Sequence, residues 1–216
     1  KEIVYHGSQN GDIKELTARM STHQKLCIYA TSYRVVALIN SAPKGHRDLD
    51  IIVSSVDGMI ELVERRPEVF KNLFNNKGYI YELDGETFSH YDYLWSKEVI
   101  SFEKAIKPLN KITIDNILVE LEKEEKQGNI KIYRYPNRPE NIPLDNSDLI
   151  EKYIKYEESG LTGAISELIE VYPEFKKRVS KILEKKRIQN NKAWQKIIFK
   201  YLLTTDNIND ILRIER

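Results

Sequence analysis

The sequence predicts an α+β protein, with a β-rich unit to about residue 140 and an α-helical unit from 141 to 216. Three observations predict it. Short β-branched and aromatic runs, each bounded by turn residues, occupy the N-terminal part. Pro136, Pro139 and Pro143 then mark an extended linker. After Pro143 the apolar residues recur at helical spacing.

Each element follows from its local pattern. Ile3-Val4-Tyr5 reads as a strand ending at His6-Gly7-Ser8, with a turn over Gln9-Asn10-Gly11-Asp12. Leu26 to Thr31 is a second strand, and Tyr33 to Ile39 begins a short helix. Ser41 to Asp48, holding Pro43 and Gly45, is a loop. Asp50 to Ser54 is β-branched and strand-like, and Glu61 to Phe74 reads as a broken helix or a loop around Pro67. Gly78–Leu83 and Glu86–His90 flank Asp84-Gly85, a hairpin signal. Glu98 to Phe102 is a further strand. Ile112 to Lys126 reads as an amphipathic helix, with Ile114, Ile117, Leu118 and Leu121 on one stripe and Gly128 beyond its end. Ile130 to Tyr133 is a last strand.

In the helical unit, one stripe is Leu149, Tyr153 and Ile154, and a second is Ile165, Leu168 and Ile169. A third is Phe175, Val179, Ile182 and Leu183, and a fourth is Trp194, Ile197, Ile198, Tyr201 and Leu202.

Composition excludes several classes. Hydrophobic residues make up 41% of the chain, enough for a sizeable core, so global disorder is excluded. One cysteine, Cys27, allows no internal disulfide and no Cys-rich zinc site. The four histidines, His6, His23, His46 and His90, lack metal-ligand spacing. No apolar run is long enough to span a membrane, and Lys1–Val4 runs straight into a strand pattern without signal-peptide layout. A soluble, cytoplasmic protein is expected.

The net charge of +1 hides an uneven distribution. Residues 174–200 hold ten basic side chains against two acidic ones, a net of +8, which leaves −7 on the rest. Such a segment is either a solvated helix face or a contact surface for nucleic acid or another polyanion.

Three local features bear on chemistry. His6-Gly7-Ser8 at a strand end offers an imidazole, a backbone open to close approach and a hydroxyl. Ile28-Tyr29-Ala30-Thr31 places a flat ring among small neighbours, although a tyrosine in such a strand is commonly a core residue. Glu98-Val99-Ile100-Ser101-Phe102 puts a carboxylate at the start of an apolar strand.

In order and spacing these pieces resemble the diphtheria-toxin-like branch of the ADP-ribosyltransferases, which includes the poly(ADP-ribose) polymerases. That branch carries a His-Tyr-Glu signature on three strands, and a Tyr-Glu-Leu strand such as Tyr81-Glu82-Leu83 usually precedes the third. The likeness covers about residues 3–112. It implies a split antiparallel β core with the helical region as an extension. It also implies NAD⁺ as co-substrate and transfer of ADP-ribose to a macromolecular acceptor, mono- rather than poly-, with release of nicotinamide.

The resemblance assigns roles residue by residue. Tyr29 would stack on the nicotinamide, with Tyr33 as a second wall. Gly7 would bond the carboxamide through its backbone, and His6 and Ser8 the ribose hydroxyls. Arg19 would approach the cofactor phosphates, where a guanidinium suits bidentate contact, or is a surface arginine. His23 either lines the same cleft or caps a turn. Glu98 would bond the ribose 2′-OH and oppose the positive charge that develops at C1′. Glu82 is the rival acid, at a place where the family's glutamate is not catalytic.

One departure concerns the carboxamide: the stretch where the family often has a bonding serine reads Val35-Val36-Ala37-Leu38. The segment between Tyr33 and Glu98 lacks a target-recognition loop. Two other functions stay open, an RNA 2′-phosphotransferase using Arg19 and His23, and a non-catalytic module that binds NAD⁺ or nucleic acid. A small transferase with a helical module suits a bacterial toxin or stress-response enzyme by analogy alone.

Overall fold

A computed structural model describes residues 2–20 and 25–189. The chain divides into two compact units, 1–139 and 140–216. Unit one is mixed α/β. In chain order it runs β1 (Ile3–Ser8), β2 (Leu16–Thr17), β3 (Arg19–Met20), β4 (Leu26–Ala30), α1 (Arg34–Asn40), α2 (Arg47–Asp50), β5 (Ile51–Val56), β6 (Met59–Glu64) and α3 (Val69–Phe74). It continues with β7 (Gly78–Asp84), β8 (Val99–Ser101), β9 (Ala105–Ile106), β10 (Asn110–Ile114), α4 (Ile117–Lys126) and β11 (Ile130–Tyr133).

Several small sheets result. β7 lies between β1 and β10, antiparallel to both, with His6 opposite Tyr81 and Ile112 opposite Ile80. β4 lies between β3 and β8, again antiparallel. β2 pairs with β9. The third three-stranded sheet is mixed, since β6 pairs antiparallel with β5 and parallel with β11. The core gathers α1, α3 and α4 with strand side chains, including Val36, Leu38, Ile39, Leu62, Phe74, Ile80, Ile117 and Leu121, all nearly inaccessible.

Three local expectations are corrected. Glu61–Glu64 is not helix or loop but the buried end of β6, and only Val69–Phe74 is helical. The reason is a hairpin at Asp57-Gly58, where both residues have positive φ (49° and 84°), the geometry a two-residue hairpin turn demands. Asp84-Gly85 makes no hairpin. β7 runs into a short 3₁₀ turn at Gly85–Thr87, and its two edges are already taken by β1 and β10. The helix expected from Ile112 begins at Ile117. Ile112 and Ile114 belong to β10, and Asn116 caps α4 by accepting from the Val119 N–H at 3.1 Å.

Unit two is helical over its described part: α5 (Asp148–Glu158), α6 (Ala164–Val171) and α7 (Lys176–Gln189). Leu149, Tyr153, Ile154, Ile165, Leu168, Phe175, Val179 and Leu183 are buried, so three of the apolar stripes face a core. The fourth, Trp194 to Leu202, lies outside the described residues, as do Lys192, Lys196 and Lys200 of the basic segment. Within the described part, Lys176, Lys177, Lys181 and Lys185 are exposed. Arg178 pairs with Asp145 at 3.1 Å and Lys186 with Glu158 at 2.7 Å. Part of the excess charge is therefore matched inside this unit. Among the described residues no helix is long and apolar enough to cross a membrane.

Candidate functional site

The site is built where β1 and β4 part. Tyr5 and Thr31 exchange both backbone bonds, at 2.8 and 2.9 Å. In an antiparallel ladder successive residues turn their N–H and C=O to opposite sides. The odd-numbered residues of β1 therefore face β4, and the even-numbered ones face β7. By the same parity the odd residues of β4 face β1. A continuing ladder would set Gly7 opposite Tyr29, but no pairing is made there. The His6 side chain intervenes instead, donating Nδ1–H to the Tyr29 carbonyl at 2.8 Å. The backbone N–H and C=O of Gly7 consequently face the split.

This arrangement defines the chemistry of His6. A carbonyl only accepts, so Nδ1 carries a hydrogen and the neutral ring presents Nε2 as an acceptor. Burial holds His6 below its ordinary value of 6.5; the Tyr29 carbonyl works against that, and the positive charge of Arg19 adds to it. Arg19 is exposed on β3, opposite Cys27 of the strand that holds Tyr29, and its field reaches the imidazole. Ser8 accepts from the Asn10 N–H at 3.1 Å and keeps its own O–H to donate.

Gly7 has a second duty the sequence did not reveal. A Cβ there would stand 1.9 Å from the Ala37 carbonyl oxygen, so α1 is seated directly on β1. One face of this residue packs a helix while its peptide edge lines the split.

Tyr29 is half-buried and packs against the cluster of Cys27, Leu94 and Ile100. Its register partner on β8 is Ile100, so the strand that follows Glu98 lies directly against the strand that holds Tyr29. Glu98 is half-buried and immediately precedes β8. Its N–H donates to the Trp95 carbonyl at 2.8 Å, and its carbonyl accepts from His90 Nδ1 at 3.0 Å. Tyr33 is 40% exposed at the start of α1. The Lys97 ammonium lies 4.1 Å from its ring centroid and donates to its hydroxyl at 3.0 Å.

The structure thus sets His6 against the Tyr29 carbonyl and places Glu98 at the start of the strand paired with that of Tyr29, while Tyr33 contacts Lys97, the residue before Glu98. Glu82 stands apart. It is opposite Tyr5 in register, on the other face of the sheet from His6, and accepts from Asn110 at 3.0 Å. His23 lies outside the described residues. Val35, Val36, Ala37 and Leu38 are all buried in the core. Among the described residues no group of His, Cys, Asp or Glu side chains could hold a metal ion. Sequence reasoning passed over Thr31, Lys97 and His90. Thr31 directly after the Tyr29 strand, at a helix entrance, was the readable signal, because a threonine there commonly bonds the backbone around it.

Comparison with known proteins finds no matching family, no matching curated protein and no matching solved structure.

Proposed function

We propose that this chain is a cytoplasmic NAD⁺-dependent mono-ADP-ribosyltransferase built on a split antiparallel β core. The observation that carries the reading is the parting of β1 from β4 at Tyr5–Thr31, with His6 bonded to the Tyr29 carbonyl inside the gap. The donor set fits a nicotinamide nucleotide. The Gly7 peptide edge supplies one donor and one acceptor for a carboxamide, the Tyr29 ring a flat stacking surface, and His6 and Ser8 partners for ribose hydroxyls. Arg19 offers a cation for the diphosphate. When bound, NAD⁺ supplies the chemistry: the C1′–N1 bond breaks, nicotinamide leaves with its electron pair, and ADP-ribose passes to an acceptor nucleophile that gives up a proton.

This chain's residues then have defined tasks. His6, with Nδ1–H on the Tyr29 carbonyl, accepts a hydrogen bond from a ribose hydroxyl at Nε2. Tyr29 and Tyr33 bracket the ring, while Lys97 fixes the orientation of Tyr33. Glu98 places negative charge where positive charge develops, an effect that acts on the chemical step. The acceptor is a macromolecule, and the exposed lysines of α7 favour a polyanionic one.

The test is Glu98→Gln. The variant should bind NAD⁺ with an unchanged dissociation constant by calorimetry and lose nicotinamide release by roughly 100-fold or more. Full activity in that variant would remove Glu98 from the reaction. Labelled NAD⁺ with protein, RNA and DNA pools identifies the acceptor. Phosphate transfer from a 2′-phosphorylated oligonucleotide would instead favour the RNA 2′-phosphotransferase. NAD⁺-independent, salt-sensitive nucleic-acid binding without turnover would favour a binding module.

A further inference from the structure

One residue links β1, the start of α1 and the lead-in to β8. Thr31 is 3% exposed. Its backbone bridges to Tyr5 of β1 just past the end of β4, one residue before His6. Its hydroxyl accepts from the Tyr33 N–H at 3.1 Å and donates to the Lys97 carbonyl at 2.6 Å. That carbonyl belongs to the peptide that Glu98 completes. The strand that follows Glu98 is short, three residues from Val99 to Ser101, so its lead-in depends on such ties. A buried hydroxyl bonded on both sides is costly to disturb, because its removal leaves a part-buried carbonyl without its donor.

We propose that Thr31 is a positioning residue that sets the Glu98 carboxylate relative to Tyr29 and Tyr33. The inference rests on the transferase reading and deepens it. Thr31 touches no substrate in this scheme. It acts by holding the Lys97-Glu98 peptide against the exit of β4, so that one hydroxyl couples the ring-binding wall to the acid. A small displacement of a group that stabilises developing charge weakens the chemical step far more than it weakens binding.

The experiment compares wild type with Thr31→Val, which keeps the branched shape without the hydroxyl, and Thr31→Ser, which keeps the hydroxyl. Nicotinamide release gives kcat and KM, calorimetry gives the NAD⁺ dissociation constant, and hydrogen exchange reads the amides from Lys97 to Ile100. Thr31→Val should lower kcat roughly 10- to 100-fold, change the dissociation constant less than about threefold, and accelerate exchange at Lys97–Ile100. Thr31→Ser should restore most of kcat and the protection. Should Thr31→Val fail to fold, Thr31→Ala serves as the hydroxyl-free variant. Equal kcat in wild type and the hydroxyl-free variant overturns the proposal, as does equal loss in the serine variant. If the wild type releases no nicotinamide, the transferase reading fails separately. Exchange then still decides whether the hydroxyl holds the Glu98 peptide, and unchanged protection in the hydroxyl-free variant overturns that too.

Discussion

Gly7→Ala tests the seating of α1 on β1. The added methyl would lie 1.9 Å from the Ala37 carbonyl oxygen, 2.7 Å from the Ser41 nitrogen and 2.8 Å from the Asn40 carbonyl carbon. An ordinary carbon–oxygen contact is about 3.3 Å, so the helix must retreat by more than an ångström. All three obstructing atoms are backbone, so no side chain can swing aside. The helix carries Val35, Val36, Ala37, Leu38 and Ile39, every one buried. Moving it loosens five packed positions at once. Overpacking of a core typically costs about 1–3 kcal/mol, and the loss of packing around α1 brings the expected total to roughly 3–5 kcal/mol. That is a large share of the ~5–15 kcal/mol by which a domain is stable. Urea unfolding of wild type and variant, followed by circular dichroism, measures it. Gly58→Ala is the control. Gly58 has φ of 84° with open space around its Cβ position, so only its backbone conformation is penalised, by about 1 kcal/mol. A Gly7→Ala loss no larger than the Gly58→Ala loss would refute the steric reasoning and return Gly7 to a purely ligand-facing role.

Three further outcomes follow from the same contacts. The NMR titration of His6 should give a midpoint below 6.5, and Arg19→Ala should raise it by removing a nearby positive charge. Because the folded value is depressed, His6 contributes stability that is complete above pH 6.5 and lost as pH falls through the folded value. The urea midpoint should therefore fall on acidification below 6.5, with a shallower slope in His6→Gln. In the helical unit, the buried Glu157 carboxylate accepts from the Gly163 N–H at 3.0 Å and the Ile165 N–H at 3.2 Å. Glu157→Gln should cost about 1–3 kcal/mol and accelerate amide exchange at the start of α6, and unchanged exchange would remove this carboxylate as the anchor. Tyr81→Phe removes the hydroxyl that donates to the Asn10 carbonyl at 2.8 Å and accepts from the Ile13 N–H at 3.2 Å, so proteolysis in the 10–13 turn should quicken while β1–β7 pairing persists.

The elements legible in the sequence were those whose signal is local. The stripes of α5, α6 and α7 repeat at helical spacing, and each is buried as that spacing requires. β1, β4, β5 and β11 were readable from dense β-branched and aromatic runs. The failures share a cause. Asp57-Gly58 and Asp84-Gly85 are identical dipeptides, yet only the first turns a hairpin, because β7 finds its partners at residues 3–8 and 110–114 instead of next in sequence. Ile114 fits both the helical stripe it would share with Ile117, Leu118 and Leu121 and the strand alternation it shares with Ile112, and pairing with β7 decided for the strand. Glu61–Glu64 was obscured by Pro67, although the strand ends before that proline.

The candidate site divides in the same way. Sequence alone determined which groups are available: an imidazole, a glycine and a hydroxyl in a row, a ring within a strand, and an acid beginning another. It also determined the +8 stretch, since charge needs no fold to be counted. Only the tertiary structure decided that β1 and β4 stop pairing after one bridge, that His6 takes the carbonyl the ladder would have used, and that Thr31 ties Tyr33 to the peptide of Glu98. Those outcomes depend on backbone parity and on the His6–Tyr29 and Thr31–Lys97 contacts, 23 and 66 positions apart. Local propensity carries no information about either, because both are set by which strands, distant in sequence, pair with one another.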